Sequence, residues 1–287
     1  MAAPKTIKID VVSDFVCAWC YIGHIELERG MALARSRGLP VDFAVKYHPF
    51  ILFPNLPEDR PVNKEQFYQV KFGSIEKAQE RLGLVKMRAK EDGLDFSFGG
   101  NISHSLRAHR LLQRAYLHGG QRAQGALIRR FFRAFFEDEK DVGDLTTLAK
   151  LTSSQVYPFT PLSQNGNSSP EITLTRTEND EGEFDPHADD ESAAIFDSEE
   201  EAVEWIEGAE LEKEVRSLTA DAARKGVAGV PFTVIDGRWA VSGCQKPECY
   251  YKIFEKLATC SDVPPPAMMK AEGPCGQRIC TPSAATA

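Results

Sequence analysis

The chain has 287 residues, 42% of them hydrophobic, which is enough to bury a substantial core and too apolar for disorder throughout. Its net charge of -8 is concentrated between Glu171 and Glu191, where nine acidic residues stand against Arg176 alone. The remaining surface is therefore near neutral, and nucleic acid is excluded as an expected partner. No apolar run approaches the roughly 18 residues of a membrane-spanning helix, so a membrane partner is not expected either.

The first ten residues lack an apolar stretch of signal-peptide length, which makes the cytoplasm the expected location. Ile7, Ile9 and Val11 alternate with Lys8 and Asp10 as a half-buried strand does. After Cys17 and Cys20 the period changes: Ile22, Ile25, Ala32 and Leu33 recur at helical spacing until Gly38 and Pro40. Val41, Phe43, Val45 and Tyr47 alternate again, giving a second strand. A right-handed βαβ unit follows, with the two strands parallel. From about Asn63 to Leu151 no strand is expected, and the patterns are helical. The strongest stripe, Leu127, Ile128, Phe131, Phe132, Phe135 and Phe136, reads as core.

Between Ser163 and Glu191 the composition cannot offset the entropy cost of folding, so an acidic disordered loop is expected. One helical pattern runs from about Glu199 through Val203, Ile206, Leu211, Val215 and Leu218. It leads to a hairpin around Asp236-Gly237, whose residues favour a type I′ turn, and to a last helix from about Pro247 to Leu257. The chain thus divides into a βαβ part carrying the CxxC (1–55), an inserted all-helical domain (56–160), the acidic loop (161–195), a helix–hairpin–helix part (196–260) and an extended, flexible tail (261–287).

Seven cysteines in a chain of this length do not form the dense, even framework of a small secreted scaffold. Cys17 and Cys20 sit at a strand-to-helix junction, where a helix N-terminus stabilises a thiolate. A free thiol of pKa about 8.5 is only about 3% ionised at pH 7, so such stabilisation decides reactivity. Cys17 is the expected nucleophile and Cys20 the thiol that resolves a mixed disulfide. Half of a zinc site and a pair of inert thiols are the competing readings; zinc knuckles rarely occupy a βα junction, and no metal is expected. Val230-Pro231 follows a glycine-rich turn and precedes a strand, where a cis proline is tolerated but not required. Cys244 with Cys249, and Cys275 with Cys280, share a CxxxxC spacing and are candidate auxiliary redox thiols. His24 reads as a surface residue ahead of a group that tunes the thiols, Asp14 as a helix cap or a solvated loop side chain ahead of a proton relay, and His104 and His109 as too far out of phase to share a metal.

Asp14-Phe-Val-Cys-Ala-Trp-Cys-Tyr-Ile-Gly, Ala108-His-Arg-Leu, the Phe131 to Phe136 stripe with Asp141-Val-Gly-Asp, Gly226-Val-Ala-Gly-Val-Pro-Phe and Ala240-Val-Ser-Gly together resemble the FrnE-like branch of the DsbA family. The resemblance covers about Ile7 to Leu257 apart from the acidic loop. It implies an α/β thioredoxin-like fold interrupted by an all-helical insertion, and thiol-disulfide oxidoreductase activity without a bound cofactor. It also implies a cis Pro231 facing the cysteine pair, with Trp19, Val230 and Pro231 contacting substrate. The expected partner is a disulfide-containing protein or a small thiol, with glutathione as a candidate co-substrate. Relatives that use glutathione as transferases or isomerases supply an alternative, as does a non-catalytic binding module on the same fold. Two positions depart from the family pattern: Ala18 replaces the usual proline after the first cysteine, and Cys244 replaces an alanine.

Overall fold

The computed structural model describes residues 4–58, 60–153 and 194–259, together with the backbone of 279–280. Strand β1 (Lys5–Ser13) runs into helix α1 (Ala18–Ser36), and β2 (Val41–Pro49) returns parallel to β1. The register sets Ile7 beside Phe43 and Val11 beside Tyr47, so the alternating apolar residues of both strands share one buried face. The expected βαβ unit is present.

The insertion begins with β3 (Val62–Asn63), α2 (Lys64–Phe72) and α3 (Ile75–Glu91), and continues through β4 (Asn101–Ile102), α4 (Leu106–Phe136) and α5 (Leu145–Thr152). Strands β3 and β4 pair as a two-residue antiparallel ribbon, a departure from the strand-free segment expected from sequence; two residues are too few to show a period. Helix α4 is broken at Gly120, whose φ of 62° and ψ of -152° lie outside helical space. Phe131, Phe132, Phe135 and Phe136 are all fully buried, as a core stripe should be. Tyr21 of α1 stacks on Phe132 at 5.0 Å, and Phe15 meets Phe131 edge-on at 5.1 Å. Insertion and sheet therefore share one core, and Phe15 and Tyr21, on either side of the cysteine pair, are wedged into it.

Residues 154–193, nearly all of the expected acidic loop, lie outside the described residues. The chain leaves and returns at one point, since the N–H groups of Ile195 and Phe196 both donate to the carbonyl of Thr152. The single helical pattern expected after Glu199 is two helices, α6 (Glu199–Glu207) and α7 (Glu212–Arg224). Gly208 stops the first, and Leu211 turns the chain with a φ of 62°. Arg110 of α4 donates to the carbonyls of Ile206, Gly208 and Glu210, satisfying the groups that the break exposes.

Strands β5 (Phe232–Ile235) and β6 (Trp239–Ser242) form the expected hairpin, with positive φ at both Asp236 and Gly237. Helix α8 (Pro247–Thr259) packs on α1, and β7 (Ile279–Cys280) pairs with β6 inside the segment expected to be an unpaired tail. The sheet order β2-β1-β5-β6-β7 places β1 between a parallel and an antiparallel neighbour. This is the thioredoxin-like α/β fold with a helical insertion. Among the described residues, no helix is long and apolar enough to cross a membrane.

Candidate active site

Cys17 is the N-cap of α1, with φ -100° and ψ 108°, and its carbonyl accepts from Cys20 N–H at 2.9 Å. No acidic residue occupies the first turn, so the positive end of the helix is not neutralised by its own side chains. Cys20, one turn further in, is buried, and burial pushes its thiol well above the usual value, with the neighbouring Cys17 adding to the effect. The Asp14 N–H and the Ser13 hydroxyl act in the opposite direction, since both stabilise charge on that sulfur.

The second wall comes from the far end of the chain. The Val230-Pro231 bond is cis, and the Val230 carbonyl accepts from Cys17 Sγ at 3.6 Å. Gly243 N–H donates to the Pro231 carbonyl at 2.8 Å, tying this turn to the end of β6. On the α1 side, a Cβ added to Gly23 would come within 3.1 Å of Pro231 Cγ, so the helix approaches the proline only because residue 23 has no side chain. Trp19 is half-buried against the core beside the pair. Cys17, Cys20, Val230 and Pro231 are thus brought together.

The other sequence candidates scatter. Cys244 is a buried thiol whose Cα would lie 3.9 Å from a Cβ on Gly23, one turn along α1 from Cys20, whereas Cys249 is half-buried in the first turn of α8. Both are outside any disulfide. Cys275 lies outside the described residues, and for Cys280 the backbone alone is placed, opposite Ala240.

Two expectations need correction. His24 is buried and not on the surface, with Nδ1 2.6 Å from the Tyr47 hydroxyl; burial, helped by Arg129, lowers its pKa to about 3, so it is neutral and supplies no charge to the thiols. Asp14 is neither a cap nor solvated. It is fully buried, accepts from Leu52 N–H at 2.6 Å, and lies 3.2 Å from Nε2 of the equally buried His109. That nitrogen also donates to the Phe50 carbonyl at 2.9 Å. One carboxylate therefore holds together the CxxC turn, the loop after β2 and the inserted helix α4. The sequence, in which His109 is weighed only as a metal ligand, does not show its contact with Asp14, because the two are 95 residues apart.

The DSBA-like thioredoxin domain matches residues 8–155, which include the CxxC and most of the insertion. The uncharacterized protein YwbO of Bacillus subtilis (strain 168) is 28% identical over 160 residues; that match spans 51% of this chain and 64% of the relative, less than two thirds of its length. The crystal structure of a probable DsbA oxidoreductase from Streptomyces coelicolor superposes with a TM-score of 0.64 at 24% identity, covering 96% of this chain and all of the other, a likeness in fold. With its sheet, its insertion and half of its length matched in this way, the chain belongs to the DSBA-like thioredoxin domain family.

Proposed function

We propose that the protein is a thiol-disulfide oxidoreductase in which Cys17 and Cys20 exchange a dithiol for a disulfide. The observation that carries this reading is the pair of buried thiols one helical turn apart, of which Cys17 caps the N-terminus of α1 and reaches the Val230 carbonyl while Cys20 lies one turn deeper. Cys17 Sγ attacks one sulfur of a substrate disulfide; its S–S bond breaks, and the leaving thiolate takes up a proton. Cys20 then gives up its proton and attacks Cys17 Sγ, releasing the second substrate thiol and leaving a Cys17-Cys20 disulfide. The substrate gains the two electrons that the enzyme loses. A dithiol or glutathione restores the pair, and the same steps reversed would oxidise a substrate. Trp19, Val230 and Pro231 are the proposed substrate contacts, and no metal or prosthetic group takes part. Cys244 and Cys249 are proposed as auxiliary thiols, and the comparison of Cys244→Ala with the parent in turnover tests that role.

The deciding experiment is a glutathione redox titration of the full chain, read by thiol alkylation and intact mass. The expected result is one reversible two-electron transition that disappears in both Cys17→Ser and Cys20→Ser, with Cys20→Ser trapping a mixed disulfide on Cys17. A stable glutathione adduct without an internal disulfide would replace this reading with a glutathione transferase or isomerase.

A further inference from the structure

An open groove of about 550 Å3 lies between the 52–57 loop and α2. Its loop wall leads to the thiol pair. From the loop, Leu52 N–H binds the Asp14 carboxylate, and the Asp14 carbonyl accepts from Cys17 N–H at 3.2 Å. Burial pushes the Lys71 ammonium down while a Cys17 thiolate pulls it back up; burial and the same thiolate together raise Tyr68.

The lining is mostly apolar, with Phe53, Leu56, Val62, Phe67 and Val70, and Asn55 and Gln66 are its neutral polar side chains. Val70 is 84% exposed at the rim, which leaves apolar surface to be covered by something else. Lys71 is the one charged side chain in the lining. Among the described residues no carboxylate pairs with it, and its Nζ rests on aromatic faces, 3.8 Å from the Phe53 ring centre and 6.0 Å from that of Phe67. An ammonium laid on the aromatic lining of an apolar trough complements a carboxylate carried next to a large apolar side chain. Glutathione fits it poorly: its two carboxylates and ammonium would meet one cation, the amides of Asn55 and Gln66, and otherwise apolar side chains.

On this basis, and resting on the oxidoreductase reading above, we infer that the groove seats the polypeptide segment flanking a substrate cystine, and that Lys71 selects segments with an acidic residue beside an apolar one. Lys71 is a specificity residue here and takes no part in the exchange of sulfur bonds.

The test uses three fluorogenic cystine peptides, alike in sequence and carrying an aromatic neighbour, with Glu, Gln or Lys beside it. The full chain should turn over the Glu peptide with kcat/KM about fivefold to tenfold above the Lys peptide, a ratio that shrinks as salt rises. Lys71→Gln should erase the ratio, Lys71→Glu invert it and Lys71→Arg keep it; Phe53→Ala should raise KM for all three peptides. Equal turnover of the peptides by the parent chain, a preference that survives Lys71→Gln, or glutathione disulfide as the better substrate with a KM set by Lys71 would overturn the inference while leaving the dithiol centre intact. Failure to reduce any disulfide, with no two-electron transition in the titration, would remove the oxidoreductase reading and this inference with it.

Discussion

At Cys17 and Cys20 one helical turn gives two identical groups opposite tasks. Both are buried, but Cys17 caps the helix and reaches the Val230 carbonyl, whereas burial one turn deeper, with Cys17 adding to it, makes the Cys20 proton hard to remove. Resolution of a mixed disulfide needs Cys20 as thiolate. With its pKa raised well above the usual thiol value, the thiolate fraction at pH 7 is small and grows about tenfold for each pH unit below that pKa. A stopped-flow measurement of release from a preformed Cys17 mixed disulfide should therefore show a rate rising by about that factor per unit from pH 6 to 8.5. A plateau below pH 8 would mean that the Ser13 hydroxyl and Asp14 N–H outweigh burial at Cys20.

The elements are held to the site by close approaches as much as by apolar area. A Cβ on Gly30 would come 2.7 Å from Cβ of the buried Tyr250, so α1 and α8 cross where residue 30 has no side chain. Gly30→Ala must push α8 away or shift the helix that carries both thiols. It should lower stability by about 1–3 kcal/mol in urea unfolding, the usual cost of overpacking a tight contact. Gly83 in α3 provides the opposite case, since a Cβ there meets nothing within 4 Å. Gly83→Ala should stabilise by about 0.5–1 kcal/mol through the unfolded chain's lost freedom. The pair of variants separates packing from helix propensity, because both glycines are helical.

At the scale of the whole molecule, what could be read from sequence depended on distance along the chain. The βαβ unit, the Asp236-Gly237 hairpin and the phenylalanine stripe announce themselves within a few residues of one another, so periodicity suffices for them. The break between α6 and α7 did not show, because Leu211 and Val215 continue an apolar pattern across a turn held by Arg110 from another helix. At the site, the cysteine motif gave the thiols. The Asp14-His109 contact arises only when the insertion folds back on the sheet, and nothing local encodes it. The same geometry bears on how the protein is made. Strand β1 takes its antiparallel neighbour from residues Phe232 to Ile235, so the Val230 carbonyl reaches Cys17 only after the ribosome has synthesised most of the chain. At about 5–20 residues per second, tens of seconds pass between the birth of the thiols and the arrival of that wall. Ribosome-stalled chains ending before Phe232 should be alkylated quickly at Cys17 and Cys20, and chains long enough to free β5 from the exit tunnel should resist. For that interval the newborn protein carries an unguarded dithiol, open to any passing oxidant before it can choose a substrate.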